Sequence, residues 1–199
     1  MLTIALTGGM GCGKSFVAQH FLSVGIPVFF ADHEAKKCYE NPKILEKIQK
    51  ICGHIVFEKG QLNLQHLSTC LFENSDKLQQ INSLIHPIVL DRFCAWSKKQ
   101  ESPFVCMEAA LIFETNLDTL FDLVIVVDAS MQTRLRRVRQ RNPTWTAADI
   151  TRRINAQMPQ EEKRTRATLI LNNENDGWHG FCYSLKKNFH ENFLLHTET

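Results

Sequence analysis

A doubly wound α/β fold built on a parallel sheet follows from three features of the 199-residue sequence. Five apolar, β-rich runs recur without the polar alternation of a half-exposed strand, which marks strands covered on both faces. A glycine-rich segment joins the first run to an apolar helical stripe, the strand, loop, helix order from which such sheets grow. Between the second and third runs lies a long stretch with helical periodicity throughout.

TIALT, Thr3 to Thr7, is the first strand. KSFVAQHFLSVG then places Phe16, Val17, His20, Phe21 and Val24 near one helical stripe, and Gly25 stops it. IPVFFAD, Ile26 to Asp32, is a second strand ending on a carboxylate. Pro42 to Gln100 reads as an all-helical insertion of four helices: PKILEKIQKICG, NLQHLSTCLFEN, SDKLQQINSLIH and PIVLDRFCAWSKKQ. FVCMEA (Phe104 to Ala109), DLVIVVDA (Asp122 to Ala129) and ATLILNN (Ala167 to Asn173) complete the sheet. SMQTRLRRVRQRN and TWTAADITRRINAQ predict two helices about a turn at Pro143, the second opened by a T-x-x-D cap at Thr146 and Asp149. A closing helix is expected from Gly177 onward. The whole chain is one domain: a core of 1–41, 101–133 and 167–199, a helical substrate-binding subdomain at 42–100, and a lid at 134–166.

Composition narrows the partners. With 44% hydrophobic and 22% charged residues and a net charge of +2, no whole-molecule field draws the chain to nucleic acid or membrane. The longest apolar runs, such as Leu123 to Val127, are too short to cross a bilayer. Seven cysteines, an odd number with no C-x-x-C pair, and no basic region before the first apolar run point to a reducing, cytoplasmic setting.

Gly8, Gly13, Lys14 and Ser15 match G-x-x-x-x-G-K-[ST] with a strand before and a helix after, the context that makes a P-loop. In a P-loop NTPase-type sheet the backbone N–H groups close round phosphate oxygens where a Cβ would intrude. Lys14 adds a point charge, Ser15 offers a hydroxyl to Mg²⁺, and the helix start aims its positive end at the anion. Ligands of such sheets collect outside the carboxyl ends of the strands, where Asp32, Glu108 and Asp128 are expected too. Neither a D-x-x-G switch nor N-K-x-D is present, which disfavours a GTPase, and no LSGGQ-like signature marks a transporter ATPase. Small-molecule kinases remain.

Nine of the ten arginines lie between Arg134 and Arg166, as an arginine-rich lid over a transferring phosphoryl group requires. Arg134, Arg137 and Arg141 share one helical stripe; Arg136 and Arg139 point elsewhere. For that second pair a solvated basic face is the plainer reading, and an RNA patch lacks the interleaved aromatics it needs.

The ordered set LTGGMGCGKS, the AD of FFAD, IHP at 85–87, ALIFE at 110–114, RVRQR at 137–141, INAQMPQEEKR at 154–164 and LILNN ending at Asn173 resembles the dephospho-CoA kinase family. That resemblance implies transfer of the ATP γ-phosphoryl group to the 3′-hydroxyl of dephospho-CoA, the last step of coenzyme A synthesis, with Mg²⁺ and in the cytosol. It implies that Asp32 lies beside the acceptor hydroxyl, acting with Lys14 and Arg141, while a helix N-cap role for Asp32 stays open. Gly9, Gly11, Cys12, Gly13, Lys14, Ser15 and Phe16 are the implied nucleotide contacts, with Arg137 and Arg141 from the lid and Asn173 near the adenine. Asp32, His86 and Glu114 are the implied substrate-side residues, His86 standing at the start of the fourth insertion helix. Ser15 is the metal-binding hydroxyl, and Glu108 a second acid that would act through water. Departures from the family pattern are Phe16 for a second hydroxyl, Phe30 for the first aspartate of a D-A-D segment, Ala110 for a proline and Thr168 for an aspartate. Cys12 reads as an ordinary small loop residue, with a redox-sensitive thiol as the bolder alternative. A nucleoside monophosphate kinase and a nucleotide-gated RNA-binding protein are the rival readings.

Overall fold

The computed structural model describes residues 1–174. The expected closing helix and Cys182 lie outside the described residues. Five strands, β1 (Leu2–Thr7), β2 (Val28–Phe30), β5 (Phe104–Glu108), β6 (Leu123–Asp128) and β7 (Leu169–Asn172), form one sheet in the order β2-β5-β1-β6-β7. β1 runs parallel to β5 and β6, and β6 parallel to β7, with Leu2 opposite Phe104, Ile4 opposite Leu123 and Ile125 opposite Leu169. All five residues of β5 are buried, as are Val124 to Val127 in β6. The unbroken apolar runs therefore have the meaning expected of them, strands covered on both faces.

The chain divides into two compact units, Met1–Phe29 with the chain from Gln100 onward, and Phe30–Lys99. The first holds the sheet, α1 (Lys14–Ser23), α6 (Met131–Arg141), α7 (Ala147–Asn155) and α8 (Gln160–Arg166). α1 buries Val17, Ala18 and Phe21 and stops at Gly25, whose φ of 81° only glycine adopts without strain. Phe16, placed by sequence in that stripe, is 55% exposed. One residue is a turn of about 100° on a helix, so the inward direction taken by Val17 leaves its neighbour outside. Ser130 caps α6 by accepting from the Thr133 N–H, and the Thr146/Asp149 capping box opens α7 as expected. Val138, Ile150 and Ile154 lock α6 to α7, with Met10, Leu135 and Trp145 against them. Thr168 N–H donates to the Val124 carbonyl and its hydroxyl accepts from Val124 N–H, so this departure from the family pattern ties the start of β7 to β6.

The second unit holds α2 (Ala31–Cys38), α3 (Pro42–Cys52), α4 (Leu64–Phe72) and α5 (Ser75–Ser97). Asn41, Asn63 and Asn74 cap the last three with their side-chain oxygens, the residue type that best meets orphan N–H groups. Two expectations fail here. The unit is not all-helical: β3 (Phe57–Glu58) and β4 (Gln61–Leu62) pair as an antiparallel hairpin, turned by Lys59 at φ 50° and Gly60 at φ 79°, the twist a two-residue hairpin favours. Nor does IHP start a new helix, because Pro87 lies inside one 23-residue helix, α5. Interior proline costs roughly 3 kcal/mol, yet Ile81, Ile85, Val89 and Phe93 are buried at unbroken four-residue spacing across it. Each burial is worth about 1.5–3 kcal/mol, so the stripe outweighs the break.

Candidate active site

Gly8 to Ser15 form the turn between β1 and α1. The loop closes on itself through Cys12 N–H to the Gly9 carbonyl (3.2 Å), and Lys14 Nζ folds back to the Gly8 carbonyl (3.0 Å). The N–H groups of Gly11, Gly13, Lys14 and Ser15 have no acceptor among the described residues, nor has the Ser15 hydroxyl a partner. Orphan donors at a helix start are the elements of an anion site.

Behind the loop several side chains engage its backbone. Arg134, 5% exposed, donates from Nε to the Met10 carbonyl (2.9 Å). Burial pushes its guanidinium below the ordinary value, with Cys12 and Asp128 acting against that; arginine stays charged regardless. Arg137 donates to the carbonyls of Cys12 (3.3 Å) and Asn173 (2.7 Å), and the buried Asn173 amide donates to Cys12 as well (2.8 Å). Gly9 N–H reaches Gln160 Oε1 at 2.9 Å and Met10 N–H reaches Gln157 Oε1 at 2.7 Å. Arg134's backing role and the two glutamines carry little local signal; the one trace of the latter in the sequence is a pair of glutamines three residues apart about Pro159.

The other expected residues fall into place as follows. Gly9, Gly11, Gly13, Lys14, Ser15 and Phe16 line or flank the turn, while Cys12 is fully buried beneath it. Arg141 ends α6, exposed and without a partner among the described residues. Glu114 accepts from the fully buried Lys163 ammonium (2.6 Å) and from Met158 N–H (3.1 Å), so it braces the α7–α8 junction. Burial pushes the Lys163 ammonium down, the Glu114 bond and charge hold it up, and the charge of Lys14 adds to the lowering. Glu108 is buried at the end of β5. In the second unit β2 stops at Phe30, which takes the N-cap position, so Asp32 lies in the first turn of α2 and caps nothing. Its carboxylate is exposed and makes no hydrogen bond among the described residues. Correspondingly, His86 sits mid-helix in α5 instead of at a helix start, and burial lowers its pKa, favouring neutral imidazole.

Residues 2–177 match the family model of dephospho-CoA kinase. The chain belongs to the dephospho-CoA kinase family. A dephospho-CoA kinase of Bacteroides fragilis is 34% identical over 177 residues, covering 88% of this chain and 86% of that one. Another from Bacillus cereus is 35% identical over 178 residues, covering 87% and 88%. Among solved structures, Thermus thermophilus TT1252 superposes with a TM-score of 0.82 at 30% identity, covering 96% of this chain and 97% of its own. A shikimate kinase of Acinetobacter baumannii, 14% identical with a TM-score of 0.54 over 96% of this chain and 94% of its own, shares the fold alone. No described helix of this dephospho-CoA kinase family member is long and apolar enough to cross a membrane.

Proposed function

We propose that the chain transfers the γ-phosphoryl group of ATP to the 3′-hydroxyl of dephospho-CoA, releasing ADP and coenzyme A, in the cytoplasm. One observation carries the nucleotide half of this reading: four unpartnered N–H groups, of Gly11, Gly13, Lys14 and Ser15, stand in one turn beside an ammonium. Family membership carries the acceptor half.

The turn grips the polyphosphate through those amides, and Lys14 swings from the Gly8 carbonyl to the β- and γ-oxygens. Arg141, free at the end of α6, supplies a second cation to the transferring group, and Phe16 offers only its backbone at the α-phosphate. Ser15 would hold Mg²⁺ with its hydroxyl. No cluster of three His, Cys, Asp or Glu side chains that could hold a metal exists among the described residues, which suits an ion bound mainly through substrate phosphates. When bound, that ion neutralises charge on the β- and γ-oxygens. Asp32 accepts the proton of the 3′-hydroxyl or holds it in line, while His86 and Glu114 support the substrate side. Catalysis is by positioning and charge neutralisation, without a covalent intermediate.

A coupled ADP-release assay at fixed Mg·ATP, offering dephospho-CoA, AMP, CMP and RNA in turn, tests the reading. Turnover is expected with dephospho-CoA alone; turnover with a nucleoside monophosphate instead, or with none of the four, overturns it. Asp32→Asn should lower kcat by about 10²- to 10⁴-fold with ATP affinity nearly unchanged, and near-normal turnover would remove Asp32 from the mechanism.

A further inference from the structure

Gln157 and Gln160 stand at the junction of α7 and α8, some 150 residues from the loop they touch. Gln157 Oε1 accepts from Met10 N–H at 2.7 Å, and Gln160 Oε1 from Gly9 N–H at 2.9 Å. Gln160 also donates from Nε2 to the Val127 carbonyl near the end of β6, at 3.0 Å. Arg134 takes the Met10 carbonyl, so both polar groups of that residue are held. The glutamines are themselves anchored: α8 is fixed by Lys163 to Glu114 and to the Ala110 carbonyl (3.1 Å), and by Arg164 to Asp128 (3.4 Å).

We propose that Gln157 and Gln160 are positioning residues for nucleotide binding, holding the rear N–H groups of the loop so that its front N–H groups stand ready for phosphate. The residue type carries the argument. A primary amide accepts from a backbone N–H without adding negative charge beside a polyanion, and at Gln160 it also donates to a carbonyl, which a carboxylate cannot do. Gly8 and Gly11 adopt positive φ, 143° and 82°, and glycines there regain many conformers once a hydrogen bond is lost. A ligand must then order the loop as it binds, and affinity falls.

This inference rests on the loop's nucleotide role and not on the acceptor assigned above. Calorimetry of the full chain with Mg·ATP alone, joined to KM values for both substrates, decides it. Gln157→Ala and Gln160→Ala are each expected to weaken Mg·ATP binding by about tenfold, with the KM for dephospho-CoA moved by less than about twofold. The glutamate variants give a readout that simple packing would not. Both add the same charge, but only Gln160→Glu turns a donor into an acceptor facing Val127, so it should bind Mg·ATP more weakly than Gln157→Glu. Wild-type affinity in both alanine variants overturns the proposal. So does a parallel rise in both KM values with a fall in Tm, the mark of general loosening. Should Gln160→Ala fail to fold, Gln157→Ala decides alone: Mg·ATP binding weakened about tenfold with the KM for dephospho-CoA nearly unchanged supports the proposal, and wild-type affinity overturns it. Wild-type uptake of Mg·ATP without turnover of dephospho-CoA would sink the acceptor assignment and leave this proposal to the affinities. Absence of any uptake would sink both.

Discussion

Glycine in the P-loop is usually explained from the phosphate side, but here the tighter constraint comes from behind. At Gly11 an added Cβ would lie 2.6 Å from the Arg134 carbonyl oxygen and 2.9 Å from both Arg134 Cα and Val138 Cγ2, at a φ of 82°. Backbone on α6 cannot step aside, so two costs add: about 1–2 kcal/mol for the left-handed conformation and about 1–3 kcal/mol for overpacking. Gly11→Ala should therefore lower the unfolding free energy by about 3 kcal/mol with no nucleotide present, as read by urea unfolding. A loss appearing only in ATP affinity would show that the phosphate side sets the constraint. The same geometry explains what was legible in the sequence at this scale. Gly8, Gly13, Lys14 and Ser15 announce themselves because a local turn dictates them; Gln157, Gln160 and Arg134 do not, because long-range partners of a backbone amide follow no local spacing.

Among the elements, α5 shows how a local rule and a tertiary one compete. The proline rule ends a helix at His86, and the buried stripe of Ile81, Ile85, Val89 and Phe93 carries it through to Ser97. Since Pro87 is exposed and lacks an N–H for the Ser83 carbonyl, Pro87→Ala restores a hydrogen bond at little packing cost. An increase of about 1–3 kcal/mol in unfolding free energy is expected, measured by urea titration; a decrease would mean that the ring itself packs. Period alone located α1, α3, α4, α6, α7 and the buried strands, but it divided α5 at Pro87 and left α8 unmarked. It could not find β3 and β4, whose two-residue strands are shorter than any alternation, although Lys59-Gly60 carried a turn signal. Nor could it separate the end of β2 from the start of α2, where Asp32 moves from a strand end to a first helical turn.

For the molecule as a whole, one carboxylate closes the described chain onto the nucleotide-binding unit. Glu174, just after β7, accepts from the Ser130 N–H and from the Thr133 hydroxyl (2.7 Å) at the start of α6. Those bonds lower its pKa from the ordinary 4.5 to about 2. A carboxylate whose pKa is depressed on folding contributes stability above the unfolded value and loses it as pH falls through the folded one. The advantage of wild type over Glu174→Gln should thus be constant above pH 4.5, shrink between 4.5 and about 2, and vanish below. Thermal unfolding of both proteins across that range checks it, and a gap that persists unchanged below pH 2 would contradict it. The parallel sheet and the insertion between its second and third strands were within reach of sequence, because buried apolar runs and helical periodicity mark them; the order of the strands was not. This clasp was not, since nothing about a lone glutamate after the last strand names its partner 44 residues earlier.

Cysteine burial has a practical corollary. Cys12 is wholly enclosed beneath the nucleotide turn, and its sulfur sits 2.8 Å from where a Gly8 Cβ would be, whereas Cys94 on α5 is exposed. A maleimide dye added to the folded protein should therefore tag position 94 and spare position 12. The enzyme thus brings its own attachment point for a fluorescent reporter on the insertion unit, one that leaves the nucleotide turn chemically untouched.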